Sequence, residues 1–289
     1  MNTLLYWFGR MFITAIQLLP LNWVARLGRA AGALTFHLDA RHRRVVVQNL
    51  TLCFGSEKSA AEINAIAREN FQRLGENYLS AIKTAVMTPQ QLLPHFEFIG
   101  AEKIRPPQSN NGPKNGVVVL GHFGNFELYG RFQEFVPAYQ CAATYRALKQ
   151  PGLNRLLVEL RLRSGCLFFE RRTDSTALKA AMNSTGLLLG LLADQSARGL
   201  RIPFLGHDCN TSTAPAVFAL RYQCPMYSAI CYRVGLARWR VEVGEEIPTH
   251  ENGESRSIEA IMRDVNLVLE KAVRRDPANW FWVHRRWKQ

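Results

Sequence analysis

The sequence predicts an α/β protein: a single domain with a mixed, largely parallel central sheet flanked by helices, plus an N-terminal membrane-associated helical segment. Short apolar runs alternate with helical stretches from residue 116 to residue 274, as in proteins whose parallel strands are joined by helices. Residues 4–21 are too apolar on all sides for an ordinary surface helix. The chain has 289 residues, 47% of them hydrophobic and 20% charged, which suffices for a large core. We expect a membrane-anchoring or interfacial segment over 1–40 and the α/β domain over 41–289.

The N-terminal segment is apolar over residues 4–21, where Arg10 and Pro20 interrupt the run. On an insertion scale each large apolar residue contributes about −0.3 to −0.6 kcal/mol and a central Arg costs about 2.5 to 3.5 kcal/mol. The summed free energy of inserting this segment across a bilayer is therefore small and negative. The segment either spans the bilayer or lies in its interface, and a buried core helix is the alternative. Residues 23–38 are weakly amphipathic, and the basic cluster within 41–44 suits anionic headgroups. If the segment spans, this basic flank places the main body in the cytoplasm.

The body of the chain is divided by the spacing of its apolar residues and by its turn residues. A helix is predicted over 60–85 and a loop over 105–115, rich in Pro, Asn and Gly. Strands are then predicted over 117–120, 140–145, 166–169, 187–192, 226–232 and 238–243. Helices are predicted over 125–135, 153–163, 175–183, 214–222 and 257–274, and a polar loop over 194–213.

The net charge indicates which classes of partner the protein binds, and the spacing of the cysteines indicates their chemical state. There are 36 Lys and Arg against 23 Asp and Glu, a net charge of +13, which favours polyanions such as nucleic acid, anionic lipid, phosphorylated substrates or an acidic protein. The sequence has no recognised nucleic-acid-binding module, so we predict no nucleic-acid partner. The six cysteines form no C-x-x-C pair, which favours buried free thiols over a zinc site or a disulfide scaffold.

A histidine follows the first predicted strand, at the edge of the sheet where α/β proteins bind ligands. His122 ends the stretch VVVLGH, and Glu127 comes five residues later. If His122 lies in the turn and Glu127 in the first turns of the helix, the carboxylate can reach the imidazole. A carboxylate on one ring nitrogen fixes the tautomer and makes the other nitrogen a better base for a hydroxyl proton.

Polar residues also follow two other predicted strands. Arg171 and Arg172 come after strand 166–169, and guanidinium groups suit phosphate or carboxylate. Asp194 and Gln195 come after strand 187–192. We expect these clusters to meet at one edge of the sheet, although each alone fits an exposed loop.

These residues resemble the lysophospholipid acyltransferase superfamily, and specifically its late lipid A biosynthesis acyltransferases. His122 and Glu127 match the H-x4-D/E motif of the superfamily. Further matches cover nearly the whole chain and are GCLFFER at 165–171, ADQ at 193–195 with PFLG at 203–206 and Thr213, Pro225, and the tail PANWFWVHRRW at 277–287. The tail is the piece most specific to the lipid A branch.

The resemblance implies a glycerol-3-phosphate acyltransferase-like fold in an enzyme of the bacterial inner membrane that faces the cytoplasm. It implies direct transfer of a fatty acyl chain from an acyl carrier protein thioester to a hydroxyl of a phosphorylated lipid A precursor, without cofactor, metal or acyl-enzyme. His122 becomes the general base and Glu127 its orienting partner. The implied substrate-binding residues are Asn125, Arg171, Arg172, Asp194 and Gln195.

Several alternatives stay open at this stage. The same scaffold acylates other membrane lipids, and a non-catalytic membrane-binding relative is a further reading. A hydrolase is disfavoured because the sequence has no G-x-S-x-G elbow. The tail tryptophans either lie at the membrane interface or cap the sheet. The sequence does not determine the acyl chain length, the acceptor or the oligomeric state.

Overall fold

The structure is a computed structural model that describes residues 2–104, 113–184 and 186–287. The helices are α1 (Asn2–Leu18), α2 (Leu21–Leu38), α3 (Ala40–Phe54), α4 (Ala60–Thr84), α5 (Pro89–Leu92), α6 (Pro151–Arg161), α7 (Ser175–Met182), α8 (Ala214–Arg221) and α9 (Ile258–Arg275). The strands are β1 (Phe96–Ile99), β2 (Gly116–Leu120), β3 (Gln140–Tyr145), β4 (Leu167–Glu170), β5 (Leu187–Leu192), β6 (Ser196–Phe204), β7 (His207–Thr211), β8 (Met226–Gly235), β9 (Arg238–Val243), β10 (His250–Glu251) and β11 (Glu254–Ser255). Of the predicted loop over 105–115, residues 105–112 lie outside the described part.

The central sheet has seven strands in the order β1-β9-β8-β2-β5-β3-β4. Every neighbouring pair in it is parallel except β8 and β9, which are antiparallel. The predicted α/β class with a mixed, largely parallel sheet is therefore confirmed. The division at residue 40 stays a prediction.

Strand β2 lies in the middle of the sheet and is buried along its whole length. Because side chains alternate between the faces of a strand, Val117 and Val119 join one hydrophobic cluster while Val118 and Leu120 join the other. A strand covered on both faces reads as a continuous apolar run, which is why this segment was predictable.

Two predicted segments differ in the structure. The predicted polar loop over 194–213 is wrong, because residues 196–211 form the β6–β7 hairpin. Ile202, Phe204 and Cys209 turn inward from it and are buried. The predicted helix over 125–135 is a 3-10 helix at Phe126–Glu134. By contrast, the helix predicted over 60–85 is α4, whose start is capped by reciprocal hydrogen bonds between Ser59 and Glu62.

The N-terminal helices lie against the domain. Helix α2 packs on α4 with its backbone in direct contact, because Gly28 and Gly32 face Gly75 and its neighbours. Helix α1 packs on α6 through a salt bridge from Arg10 to Glu159 of 2.9 Å. Within the described residues, none of the helices has both the length and the apolar character needed to cross a membrane.

The contact between α2 and α4 leads to a stability prediction. We expect Gly32→Ala to destabilise the protein by about 1–3 kcal/mol, because a Cβ there collides with the backbone carbonyl of Phe71 and the helices must separate. Helix propensity alone favours Ala over Gly by about 1 kcal/mol. The sign of the change in the free energy of unfolding therefore shows whether the collision or the propensity dominates. The measurement is urea unfolding, with Gly9→Ala as the control, since the new Cβ there meets only the flexible ends of the Leu156 and Leu153 side chains. Equal effects at the two positions would contradict the packing argument.

Candidate active site

The register of the parallel sheet places His122 beside Asp194. Strands β2 and β5 are neighbours in which Leu120 pairs with Leu192, and the ladder continues through a 3.0 Å hydrogen bond from Ala193 N to Leu120 O. His122 and Asp194 each come two residues after this last pair. Equal spacing beyond a shared register therefore brings the two side chains together at the carboxyl edge of the sheet.

Asp194 accepts hydrogen bonds from both the side chain and the backbone of His122. His122 Nδ1 lies 2.7 Å from Asp194 Oδ1, and His122 N donates to Asp194 Oδ2 at 2.7 Å. The carboxylate is completely buried, whereas the imidazole is 17% exposed. Burial alone raises the pKa of Asp194, but the charge and the hydrogen bonds of His122 outweigh it and hold this pKa well below its ordinary value.

The ionised carboxylate selects one tautomer of the histidine. A carboxylate only accepts hydrogen bonds, so His122 Nδ1 must carry a proton towards Asp194. In the neutral imidazole the lone pair then lies on Nε2. The side-chain amide nitrogen of Gln195 lies 3.4 Å from His122 Nε2. The arrangement can remove a proton from a group bound near Nε2.

Aromatic rings and a tight turn hold the imidazole in place. Phe126 and Phe281 flank His122, with ring centroids at 5.0 and 5.6 Å. Gly124 has a φ of +50°, and a Cβ there would lie 2.7 Å from the carbonyl oxygen of Cys231. Glycine alone tolerates both the backbone conformation and the close approach, so the turn after β2 requires it.

Glu127 has a partner other than His122. Its carboxylate forms a two-pronged salt bridge with Arg161 of α6, from Nε at 2.9 Å and from Nη2 at 2.6 Å. The sequence predicts Glu127 as the orienting partner of His122, and the structure places Asp194 in that position instead. The physical reason is that the carboxyl edge of β5 delivers a carboxylate directly beneath the imidazole, while the 3-10 helix turns Glu127 towards α6. Both Glu127 and Arg161 line the cavity described next.

A large cavity opens at His122. It has a volume of about 1120 Å³, larger than the ~300–1,000 Å³ usual for small-molecule sites. Its walls are mainly apolar side chains from α1, α4, α6 and the central strands, among them Phe12, Ile82, Leu160, Phe168 and Leu191. Such a cavity suits a long apolar ligand whose reactive end lies at the imidazole.

The other predicted site residues fall into two groups. Arg171 and Gln195 line the cavity, whereas the side chain of Arg172 is exposed and does not line it. Asn125 is buried behind the site, where its side-chain amide faces Thr84 of α4 at 3.4 Å. Asp194 lies beneath the imidazole and is completely buried, so it contacts His122 rather than the cavity. The substrate-binding roles of these residues stay predictions.

The tail of the chain packs beneath the site. Trp280 and Trp282 are fully buried, and Trp280 Nε1 donates to Asp194 Oδ2 at 2.8 Å. These two tryptophans are therefore buried inside the protein and are not exposed at a membrane interface. Sequence reasoning missed Trp280 and Arg161 as neighbours of the site. The unusual density of Trp, His and Arg in the tail was the available signal for Trp280.

No group of three or more His, Cys, Asp or Glu side chains among the described residues is placed to hold a metal ion. All six cysteines are buried and free, as predicted. Burial raises the pKa of the Cys53 thiol to about 12, so this sulfur is protonated at neutral pH.

Comparison with known proteins gives consistent matches. A family model described as bacterial lipid A biosynthesis acyltransferase matches residues 1–289. The chain is 25% identical over 292 residues to the lipid A biosynthesis palmitoleoyltransferase of Escherichia coli, covering 98% of this chain and 91% of the relative. It is 24% identical over 290 residues to the lipid A biosynthesis lauroyltransferase of the same organism, covering 98% and 91%. The myristoyltransferase of that organism is 33% identical over 109 residues, 36% of this chain and 32% of the relative. Because the family model covers the whole chain, this protein is an acyltransferase and belongs to the family of bacterial lipid A biosynthesis acyltransferases.

Proposed function

We propose that this acyltransferase moves a fatty acyl chain from an acyl carrier protein thioester directly to a hydroxyl of a phosphorylated lipid A precursor. The observation that carries the proposal is the His122–Asp194 pair, at 2.7 Å, opening into a large apolar cavity. The pair supplies a base for an alcohol, and the cavity supplies a place for an acyl chain. The reaction so proposed uses no cofactor, no metal and no acyl-enzyme.

The proposed step has a simple balance of bonds and protons. His122 Nε2 takes the proton of the acceptor hydroxyl as its oxygen attacks the thioester carbon. A C–O bond forms, the C–S bond breaks, and the imidazolium returns the proton to the leaving thiolate. Asp194 stabilises the imidazolium by the bond to Nδ1 and stays ionised throughout. The side-chain amide of Gln195, beside Nε2, is suited to donate to a substrate oxygen.

The acyl chain and the phosphate use different parts of the cavity in this proposal. Each buried methylene contributes about 0.8 kcal/mol, so the apolar wall holds a long chain firmly. Arg146, Arg171 and Lys179 bring positive charge to the same cavity, and none of them has a salt-bridge partner among the described residues. These cations suit the phosphate of the acceptor or of the carrier's phosphopantetheine.

Arg171 gives this part of the proposal its own test. We expect Arg171→Ala to raise the KM for a phosphorylated substrate by roughly 10–100-fold while kcat changes much less, because a charge-assisted hydrogen bond to phosphate is lost. The measurement is steady-state kinetics with the donor and the acceptor varied in turn. Arg163→Ala removes an equal charge at an exposed position outside the cavity and is the control. Unchanged KM values for both substrates would contradict the assigned role.

We also propose that α1 and α2 contact the inner membrane, with the catalytic domain on its cytoplasmic side. These helices expose many large apolar side chains, namely Leu4, Trp7, Phe8, Met11, Phe12, Leu18, Trp23, Leu27, Leu34 and Leu38. Arg26, Arg41 and Arg44 are exposed along the same part of the chain and suit anionic lipid. Phe12 is 52% exposed and also lines the cavity, so the cavity reaches this apolar surface. A lipid acceptor can then enter without crossing water.

The proposed function is tested by mass spectrometry of lipid A. The gene is expressed in a bacterium that lacks its own late acyltransferases, and the lipids are compared with those of cells expressing His122→Ala. We expect the wild-type chain alone to add the mass of one acyl group to lipid A. Purified protein should use acyl carrier protein thioester as donor.

The outcomes of this experiment separate the alternatives. A mass shift in another membrane lipid would replace the lipid A acceptor. Transfer from free fatty acid but not from the carrier thioester would overturn the donor. A shift that persists in His122→Ala would contradict the mechanism.

A further inference from the structure

The C-terminal tail, residues 277–287, passes directly beneath the His122 loop. Gly124 N donates to Asn279 O at 3.0 Å, and Phe123 forms an isolated antiparallel bridge with Trp280. The tail itself is held by α4, because the Asn70 amide donates to the carbonyls of Ala278 and Trp280 at 2.9 and 2.6 Å. The loop that carries the proposed base is therefore supported by the tail.

Trp280 completes the hydrogen bonding of Asp194. Oδ1 of that carboxylate faces the imidazole, while Oδ2 accepts from His122 N and from Trp280 Nε1. Oδ2 accepts two hydrogen bonds and Asp194 is fully buried, so turning the carboxylate out of its plane would cost at least one of these bonds. Trp280 thereby helps to hold the plane of the carboxylate in line with the imidazole.

We propose that Trp280 is a positioning residue, whose indole N–H orients Asp194 so that His122 keeps the tautomer needed for acyl transfer. The inference rests on the function proposed above and assigns a role to the branch-specific tail. Trp280 does not line the cavity, so it acts through Asp194 rather than on the substrate. Its effect should therefore appear in kcat rather than in KM.

The chain offers a closely matched control. Trp282 is also fully buried in the tail, its ring lies 4.6 Å from that of Trp280, and its Nε1 donates to Pro277 O at 2.7 Å instead of to the site. Trp280→Phe and Trp282→Phe thus remove the same indole N–H and the same ring volume from adjacent places. Only the first change removes a bond to Asp194.

The pH dependence of kcat is a second measurement, and a purely structural role of Trp280 would leave it unchanged. Besides His122, the titratable groups that face Asp194 are His284 and Arg286 of the tail and Tyr129 of the 3-10 helix. Burial lowers the pKa of His284 to about 4 and raises that of Tyr129 well above its ordinary value. His284 and Tyr129 therefore each keep one protonation state between about pH 6 and 8.

Removal of the indole donor should move the acid limb of the profile upwards. With one hydrogen-bond donor fewer, the negative charge of Asp194 is less stabilised. The carboxylate then attracts the imidazolium more strongly. A stronger attraction favours the protonated form of the base, so the activity that is lost on acidification is lost at a higher pH than in the wild type.

The experiment compares wild type, Trp280→Phe, Trp282→Phe and His122→Ala by kinetics and thermal unfolding. We expect Trp280→Phe to lower kcat roughly tenfold with little change in KM and to shift the acid limb, whereas Trp282→Phe keeps both the kcat and the pH profile. In an Asp194→Asn background, Trp280→Phe should have little further effect on kcat.

Two other results would overturn the inference. If both tryptophan variants lose activity in proportion to their loss of stability, Trp280 has only a packing role. If Trp280→Phe acts equally with and without Asp194, its effect does not pass through the carboxylate. In either case the proposed function is tested separately by His122→Ala. Wild-type turnover in that variant would contradict the role of His122 as general base, whereas the tryptophan variants do not test that role.

Discussion

His122→Ala should lower kcat for acyl transfer by on the order of 10²–10⁴-fold while leaving the fold intact, because it removes the group that takes the hydroxyl proton. The imidazole is 17% exposed and opens into the cavity, so its loss does not create a void in the hydrophobic core. The measurement is transfer from a labelled acyl carrier protein thioester to the purified acceptor, alongside circular dichroism and vesicle flotation.

The control for this variant is His207→Ala. His207 bonds to the carbonyl of Leu52 at 2.9 Å, belongs to the β6–β7 hairpin and does not line the cavity. We expect this variant to retain activity. Wild-type-like turnover in His122→Ala would end the proposed mechanism, whereas unfolding of His122→Ala would show that the imidazole also has a structural role.

Asp194→Asn should lower kcat by about 10³–10⁴-fold, comparable to the same exchange in Ser-His-Asp enzymes. Asp194 Oδ2 accepts from two N–H donors, His122 N and Trp280 Nε1, so the amide oxygen of Asn must take that position. The amide NH₂ then faces His122 Nδ1 and forces that nitrogen to accept. The ring proton moves to Nε2, and the lone pair needed for the hydroxyl is lost.

The Asp194 variant is best compared with Glu127→Gln, because the sequence and the structure differ on which carboxylate orients His122. Glu127 is bonded to Arg161 at 2.6 and 2.9 Å, so we expect Glu127→Gln to act through that pair. Its effect on kcat should largely disappear in an Arg161→Gln background, whereas the effect of Asp194→Asn should not.

The contrary outcome of this comparison is equally specific. If Glu127→Gln shifts the acid limb of the pH profile in both backgrounds, and Asp194→Asn leaves that limb unchanged, then Glu127 orients the imidazole during turnover. Glu127 lines the cavity and Asp194 contacts His122, so each variant also needs a KM for donor and acceptor. An effect confined to KM would assign the residue to binding.

The central strands and α4 were predictable because their patterns are local. Strand β2 is apolar along its whole length since both of its faces are covered, and α4 shows apolar spacing together with the Ser59 cap. Strand β1 and the β6–β7 hairpin were not predicted. Residues 196–211 carry many polar side chains, and their inward-facing members, such as Ile202 and Cys209, are buried only by elements distant in the chain.

The site was predictable only in part. His122 follows a buried strand, so its place at the carboxyl edge of the sheet could be inferred from chain order alone. Glu127 was the nearest acid in the sequence, and proximity along the chain favoured it. The observed partner, Asp194, lies 72 residues from His122 in the chain. Trp280, which also donates a hydrogen bond to Asp194, lies a further 86 residues on.

The sequence alone predicts an α/β sheet and a histidine at a strand end, because both follow from local pattern, and its resemblance to the lipid A acyltransferases predicts the class of reaction. Tertiary structure decided that β5 lies beside β2, and with it that Asp194 rather than Glu127 contacts the imidazole. Strand order depends on non-local pairing, which hydrophobic periodicity does not encode. Burial of the tail beneath the site was decided in the same way, by packing between segments far apart in the chain.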